Sequence, residues 1–280
     1  MADPLLCQKS YWKTVNRVMN KCKAPKIPPL IINNRFLIDA KEKANEYIKY
    51  FSRQCTPLNN NSSLPHLSHL TEERLSHIPV TNNDILALIR SISKNKSSGP
   101  DELSMLSLCD DSIVLPLKLI FSYILSSGVY PDIWKQANVT PIHKKGSKQV
   151  TSNYRPISLL PICSKLFERI MFTYLYNHFV SNNLITSNQS GFRPGDSTIN
   201  QLIDLVNDIH TSFDHRESLE VHAIFLDISK AFDKVWHECF VFKLKQDGIT
   251  SDLLRLFKNY LHDRKQRVVL KSPYLENFLY

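Results

Sequence analysis

Glu220-Val-His-Ala-Ile-Phe-Leu-Asp-Ile-Ser-Lys-Ala-Phe-Asp-Lys-Val-Trp-His237 is the stretch on which the reading of this chain turns. Residues 221–226 form an apolar run that carries His222 and delivers one carboxylate, Asp227, where the run breaks. Two residues later the pattern becomes helical, with Ala231, Phe232 and Val235 on one face. The expectation is a buried strand over 221–227 that leads into a helix. Such a strand holds its terminal carboxylate on rigid backbone at a sheet edge, where a cation can reach it. Taken alone, Asp227 reads as plainly as a helix N-cap. The rest of the chain has to decide.

At 280 residues and 42% hydrophobic content, the chain has room for one large domain or two small ones with a buried core. No apolar stretch is long enough to span a membrane, and the best candidate, 113–125, is broken by Pro116 and Lys118. Asp3 and Pro4, followed by Lys9 and Lys13, do not make a secretory signal pattern. Six cysteines (Cys7, Cys22, Cys55, Cys109, Cys163 and Cys239) show no Cys-x-x-Cys spacing. They predict reduced, mostly buried thiols in a nuclear or cytoplasmic protein, neither secreted nor membrane-bound.

The net charge of +9 is unevenly spread. Residues 133–195 carry Lys135, Lys144, Lys145, Lys148, Arg155, Lys165, Arg169 and Arg193 against one acid, Glu168. A second basic cluster lies at Arg255, Lys258, Arg264, Lys265, Arg267 and Lys271, whereas 201–248 is acid-rich. A basic lobe beside an acid-centred strand suits a phosphate-handling site with bound cations; an ordinary solvated surface accounts for the same charges.

Periodicity and breakers predict the elements. Asp39 caps a helix over 40–54, with Ala44, Tyr47, Ile48 and Phe51 on one face. A polar linker over 56–68 marks a boundary, with a connector over 1–70 and a second domain over 71–280. A short helix is expected at 11–19. The cleanest helix is 81–93, with Ile85, Leu88, Ile89 and Ile92 at i, i+3, i+4 and i+7. A helix over 112–126 stops at Gly128, and strands over 137–143 and 153–158 flank a basic turn, making a hairpin with a positive tip. Helices follow over 163–180, 198–213, 237–246 and 251–261, and a last strand over 266–270.

Five segments then stand in order: Ser98-Gly-Pro-Asp101; Trp134-Lys-Gln-Ala-Asn-Val-Thr-Pro-Ile-His-Lys-Lys-Gly146; Tyr154-Arg-Pro-Ile-Ser-Leu-Leu160; Gln189-Ser-Gly-Phe-Arg193 with Ser197-Thr198; and Phe225-Leu-Asp-Ile-Ser-Lys-Ala-Phe-Asp233. Together they resemble the reverse transcriptase of a non-LTR (LINE-type) retrotransposon, from about residue 81 onward. The part before it is similar to the connector that follows the endonuclease domain in such elements. The resemblance implies an α+β right-hand polymerase, with fingers and an incomplete palm. It adds deoxynucleotides to a DNA primer on an RNA template by two-metal phosphoryl transfer with Mg²⁺.

The resemblance carries over residue by residue. It makes Asp227 the first catalytic aspartate and a metal ligand, joined by the Ile228 backbone carbonyl. It places Phe232 beneath the sugar of the incoming deoxynucleoside triphosphate, where the alternative is plain core packing. Lys144 and Arg155 match the cations that grip the triphosphate, a point charge and a fork that both suit a polyanion. Gln189, Gly191, Phe192 and Arg193 match the family's template-contacting segment, with a plain turn as the alternative for Gly191. Lys145, in the same basic block 133–195, reads either as a solvated turn or as a non-specific contact with the nucleic-acid backbone.

Two features imitate sites. Cys109-Asp110-Asp111 resembles a polymerase Asp-Asp turn but precedes Asp227, so Asp111 is expected to cap a helix and Asp110 to lie at the surface. Cys55, His66, His69 and His77 match no standard zinc spacing. The family's aromatic-x-Asp-Asp turn is not in the chain, so the expectation is a fragment whose metal site is incomplete. The alternatives are a non-catalytic nucleic-acid-binding remnant and, less favoured, a metal-dependent phosphohydrolase.

Overall fold

The computed structural model describes residues 27–55, 63–91, 97–103, 111–214 and 220–270. The helix expected at 11–19 and most of the Cys109-Asp110-Asp111 turn lie outside them.

Strands β1 (Leu30–Ile32) and β2 (Arg35–Leu37) form an antiparallel hairpin that hydrophobic patterning does not signal. Its turn is Asn33-Asn34, with φ of 49° and 62°. Asparagine tolerates this left-handed geometry, and two such residues in a row supply the twist that joins short antiparallel strands. Helix α1 (Ala40–Gln54) follows, and the Asp39 carboxylate accepts from the Glu42 amide at 3.0 Å, as the cap position predicts.

Helix α2 (Asn82–Ser91) opens with a reciprocal cap. The Thr81 hydroxyl accepts from the Asp84 amide at 3.2 Å, and the Asp84 carboxylate accepts from the Thr81 amide at 2.8 Å. Helix α3 (Val114–Ser127) ends at Gly128, whose φ is 64°. Asp111 does not cap α3. It opens a 3₁₀ turn ahead of the first α-helical amides, and its carboxylate lies 3.9 Å from Arg90.

Strands β3 (Gln136–His143) and β4 (Tyr154–Leu159) form the expected hairpin, and β5 (Lys265–Val268) joins β3 in parallel, giving the order β4-β3-β5. Helices α4 (Ile162–Ser181), α5 (Thr198–Asp214), α6 (His237–Gln246) and α7 (Ser251–Leu261) fall within a residue or two of their predicted bounds. The architecture is mixed α+β.

Two cores hold these elements. The larger one packs α2, α3, α4 and α7 around Phe121, Tyr130, Trp134 and Phe167, with Phe121 and Phe167 5.3 Å apart edge to face. The smaller one packs α1 onto the sheet: Leu30, Tyr47 and Phe51 meet Val139, Tyr154 and Val268. Residues on both sides of the polar stretch 56–68 therefore share one core.

Close backbone approach explains two glycines. A Cβ at Gly99 would fall on the backbone of Leu160 and Pro161, so the Ser98-Gly-Pro-Asp101 segment is wedged against the β4–α4 junction. Lys165 Nζ reinforces that contact by donating to the Ser97 carbonyl at 3.0 Å. Gly248 stops α6 with φ of 88°, and a Cβ there would strike the Glu73 carbonyl. The extended chain around Leu75 passes at this point, and its amide donates to the Gly248 carbonyl at 2.9 Å.

The stretch 221–227 departs from expectation. It is extended but pairs with no strand among the described residues, and its side chains face solvent, Phe225 at 80% and Leu226 at 91% exposure. Residues 229–234 form turns, so the helix expected there is absent and α6 starts only at His237. The cause is physical: an apolar, β-branched run makes a strand only when a neighbour completes its ladder. The thiols depart too. Cys55 is exposed and Cys163 and Cys239 are half-buried.

Gly99→Ala is expected to destabilise the chain by about 1–3 kcal/mol, because backbone rather than a flexible side chain occupies the space. A denaturant midpoint that does not move would sink that account. Alkali tests the larger core. Burial and the neighbouring Glu168 charge push Tyr260 up to about 12, and burial pushes Tyr130 up as well. The fold thus keeps phenolic protons that an unfolded chain releases near pH ~10. Stability is expected to be full below that pH and to fall as pH rises toward 12, read by chemical denaturation at each pH.

Candidate nucleotide and nucleic-acid site

The β3–β4 hairpin presents the cations. Its register sets Ile142 opposite Arg155, and the ladder runs one step further because the Lys144 amide donates to the Asn153 carbonyl at 2.8 Å. Side chains alternate along a strand, so Lys144 shares its face with Ile142 and hence with Arg155. That face is open, whereas Val139 and Tyr154 turn inward to α1.

The basic turn is built rather than loose. Gly146 has φ of 76°, and its carbonyl lies 3.0 Å from His143 Nε2. Asn153 Nδ2 donates to the Ser147 carbonyl at 2.9 Å, and the Tyr154 hydroxyl donates to the Lys148 carbonyl at 2.7 Å. The Ile31 amide of β1 donates to the Gln149 carbonyl at 2.9 Å, fastening the turn to the N-terminal hairpin. Lys144, Lys145 and Lys148 point outward from this frame. Cations carried on a backbone held this way lose less freedom on meeting a polyanion than those on a mobile loop.

The second part is the turn after Asp227. Lys230, with φ of 56°, donates through Nζ to the Tyr50 hydroxyl at 3.2 Å, and Nζ lies 4.8 Å from the centre of the Tyr50 ring. Helix α1 thus holds this turn with one residue while Tyr47, on the same helix, packs on Tyr154 beside Arg155. Sequence reading passed over Tyr50 because it lies beside the apolar face of α1. A half-buried tyrosine next to that face, with a hydroxyl to satisfy, was the available signal.

The loop between α4 and α5 carries the third group. Gln189 Nε2 donates to the Gly191 carbonyl at 3.2 Å, and an Arg193 guanidinium nitrogen donates to the Thr186 carbonyl at 3.4 Å. A Cβ at Gly191 would meet nothing within 4 Å among the described residues, so no contact there demands glycine. Phe192 has φ of 61° and is 86% exposed. Its ring meets Phe232 edge to face, with centroids 5.8 Å apart. Phe232 is itself 79% exposed and so is not core.

The structure therefore brings Lys144 to the face of Arg155 and joins Phe192 to Phe232. Asp227 is exposed, and among the described residues its carboxylate makes no hydrogen bond or ion pair. No three His, Cys, Asp or Glu side chains gather around a common point among the described residues. Mg²⁺ demands an octahedral oxygen shell, and one carboxylate with the Ile228 carbonyl fits a single, largely hydrated ion but not a two-ion centre. No helix among the described residues is long and apolar enough to cross a membrane.

Residues 142–274 match the family model for the reverse transcriptase (RNA-dependent DNA polymerase). The chain is 34% identical over 199 residues to the probable RNA-directed DNA polymerase from transposon BS of Drosophila melanogaster, covering 70% of this chain and 22% of that protein. It is 29% identical over 274 residues to the probable RNA-directed DNA polymerase from transposon X-element of the same species, covering 94% and 30%. The RNA-directed DNA polymerase from mobile element jockey, also from Drosophila melanogaster, is 33% identical over 190 residues, covering 66% and 20%. The chain thus spans less than a third of the length of each of these relatives.

Removing the Tyr50 ring by Tyr50→Ala is expected to speed amide exchange and proteolytic cleavage across residues 227–234. Tyr50→Phe, which keeps the ring under Lys230, is expected to have a smaller effect. Equal exchange in all three proteins would remove α1 from the site.

Proposed function

This chain belongs to the reverse transcriptase family, with the RNA-directed DNA polymerases of non-LTR retrotransposons, and from that premise we propose that it forms the fingers and the opening part of the palm. In this reading it binds an RNA template, a DNA primer and a deoxynucleoside triphosphate for RNA-directed DNA synthesis. The observation that carries the reading is the hairpin, whose register sets two cations on one open face above a turn tied down by its own hydrogen bonds.

Arg155 offers forked hydrogen bonds to the triphosphate and Lys144 a mobile point charge. Lys145, Arg193 and the Gln189–Gly191 backbone face the template strand, where positive charge gains from counterion release. The open space at Gly191 leaves room for a nucleotide to approach the backbone. Phe232 lies under the sugar, and its ring leaves no space for a ribose 2′-hydroxyl. Asp227 and the Ile228 carbonyl would supply oxygen ligands to one Mg²⁺, which, when bound, would polarise the oxygens at the reacting phosphate.

A second reading, nucleic-acid binding without synthesis, draws on the solitary exposure of Asp227. Both readings expect template–primer binding that weakens steeply with salt, with Lys145→Ala and Arg193→Ala each lowering the salt slope by about 1. Triphosphate binding is expected to fall about tenfold or more in Lys144→Ala with Arg155→Ala, since each removes a charge-assisted contact. An unchanged affinity would take the hairpin out of the nucleotide site. Primer extension separates the two readings. With one carboxylate, the chain alone is expected to give none, and extension abolished by Asp227→Ala would establish that the chain completes its own centre.

A further inference from the structure

Phe192 and Phe232 are both largely solvent-exposed, yet their rings meet at 5.8 Å with planes at 89°. Each ring belongs to a segment anchored elsewhere. The Phe192 loop is held by the Gln189 amide on the Thr186 carbonyl (3.2 Å), the Arg193 guanidinium on the same carbonyl (3.4 Å) and the Asp196 amide on the Arg193 carbonyl (3.2 Å). The Phe232 turn is held by Lys230 on Tyr50. No other ring contact to either phenylalanine occurs among the described residues.

Phe192 also holds a left-handed backbone, with φ of 61°, which is strained for a bulky aromatic. Such strain persists where surrounding structure over-determines it, and here it aims an apolar ring across solvent at one partner. An edge-to-face contact has a defined geometry, so it restricts the tilt of the second ring. Burial cannot account for the arrangement, since neither ring is buried.

We propose that Phe192 is a positioning residue that fixes the tilt of the Phe232 ring and thereby sets discrimination between deoxyribose and ribose triphosphates. The proposal rests on the reading of Phe232 as the residue beneath the sugar. It couples the template-facing loop to sugar choice through one aromatic contact.

Competitive binding of dGTP and GTP to the full chain on an RNA–DNA template–primer tests it, with unfolding midpoints recorded for each variant. Wild type is expected to prefer dGTP. Phe192→Ala is expected to cut that preference about fivefold or more by admitting GTP. Phe192→Tyr, which keeps the ring edge, is expected to restore it. If Phe232→Ala abolishes the preference and Phe192→Ala retains it, the positioning role is overturned while the reading of Phe232 stands. If wild type and Phe232→Ala both bind the two nucleotides alike, the reading of Phe232 fails and the proposal falls with it.

Discussion

The contact of the Tyr47 ring with Tyr154, edge to face at 5.1 Å, is the constraint on which the arrangement of this protein depends. It locks helix α1 onto the β4-β3-β5 sheet, with Phe51, Leu30, Val139 and Val268 closing around it. An aromatic pair of this kind contributes about 0.5–1.5 kcal/mol beyond the area it buries. Its larger consequence is geometric. Tyr154 precedes Arg155, so fixing one ring inward turns the guanidinium outward. Tyr50, one turn along from Tyr47, reaches the Lys230 turn. A single helix from the segment expected to be a separate connector thus fixes both cationic and aromatic parts of the candidate site.

Apolar surface is distributed unevenly around that frame. The core between α3 and α4 is dense with aromatic rings, while α5 shows Ile199, Leu202, Ile203 and Val206 on one exposed face. The extended run 221–228 is exposed in the same way, with Ile224, Phe225, Leu226 and Ile228 in solvent. Both stretches have the composition of elements that bury one face. What separates them from the core is that no other described residues cover them, and a helix stripe or a strand gains its stability from the surface it covers.

Legibility in the sequence follows the range of the forces involved. Helix α2 shows in the spacing of Ile85 and Ile89, and the structure closes its start with a Thr81–Asp84 cap that also lies within one turn of chain. Gly128 and Gly248 mark helix ends for the same reason. The β3–β4 hairpin shows through alternation on either side of a basic turn, whereas Lys144 and Arg155 are assigned to one site only through the resemblance to the family. The strand over 221–227 was misjudged because strand formation depends on a ladder supplied from elsewhere in the chain. The Asn33-Asn34 hairpin left a local signal, two residues tolerant of positive φ, but its strands are only three residues long and carry little periodicity.

The sequence by itself determined most of the described helices and the basic hairpin, and through its ordered motifs the resemblance to the family that names Asp227, Phe232, Lys144 and Arg155 as candidate residues. Helices and hairpin rest on local spacing, which short-range chemistry writes directly, and the candidate residues rest on motifs shared with the family. Only the tertiary structure decided which of those residues meet. It joined Phe192 to Phe232, brought Tyr50 to Lys230, wedged Gly99 against Leu160 and left Asp227 exposed and outside any cluster of three metal-ligating side chains among the described residues. Contacts between residues far apart in the chain depend on how whole elements pack, and no short stretch of sequence encodes that packing.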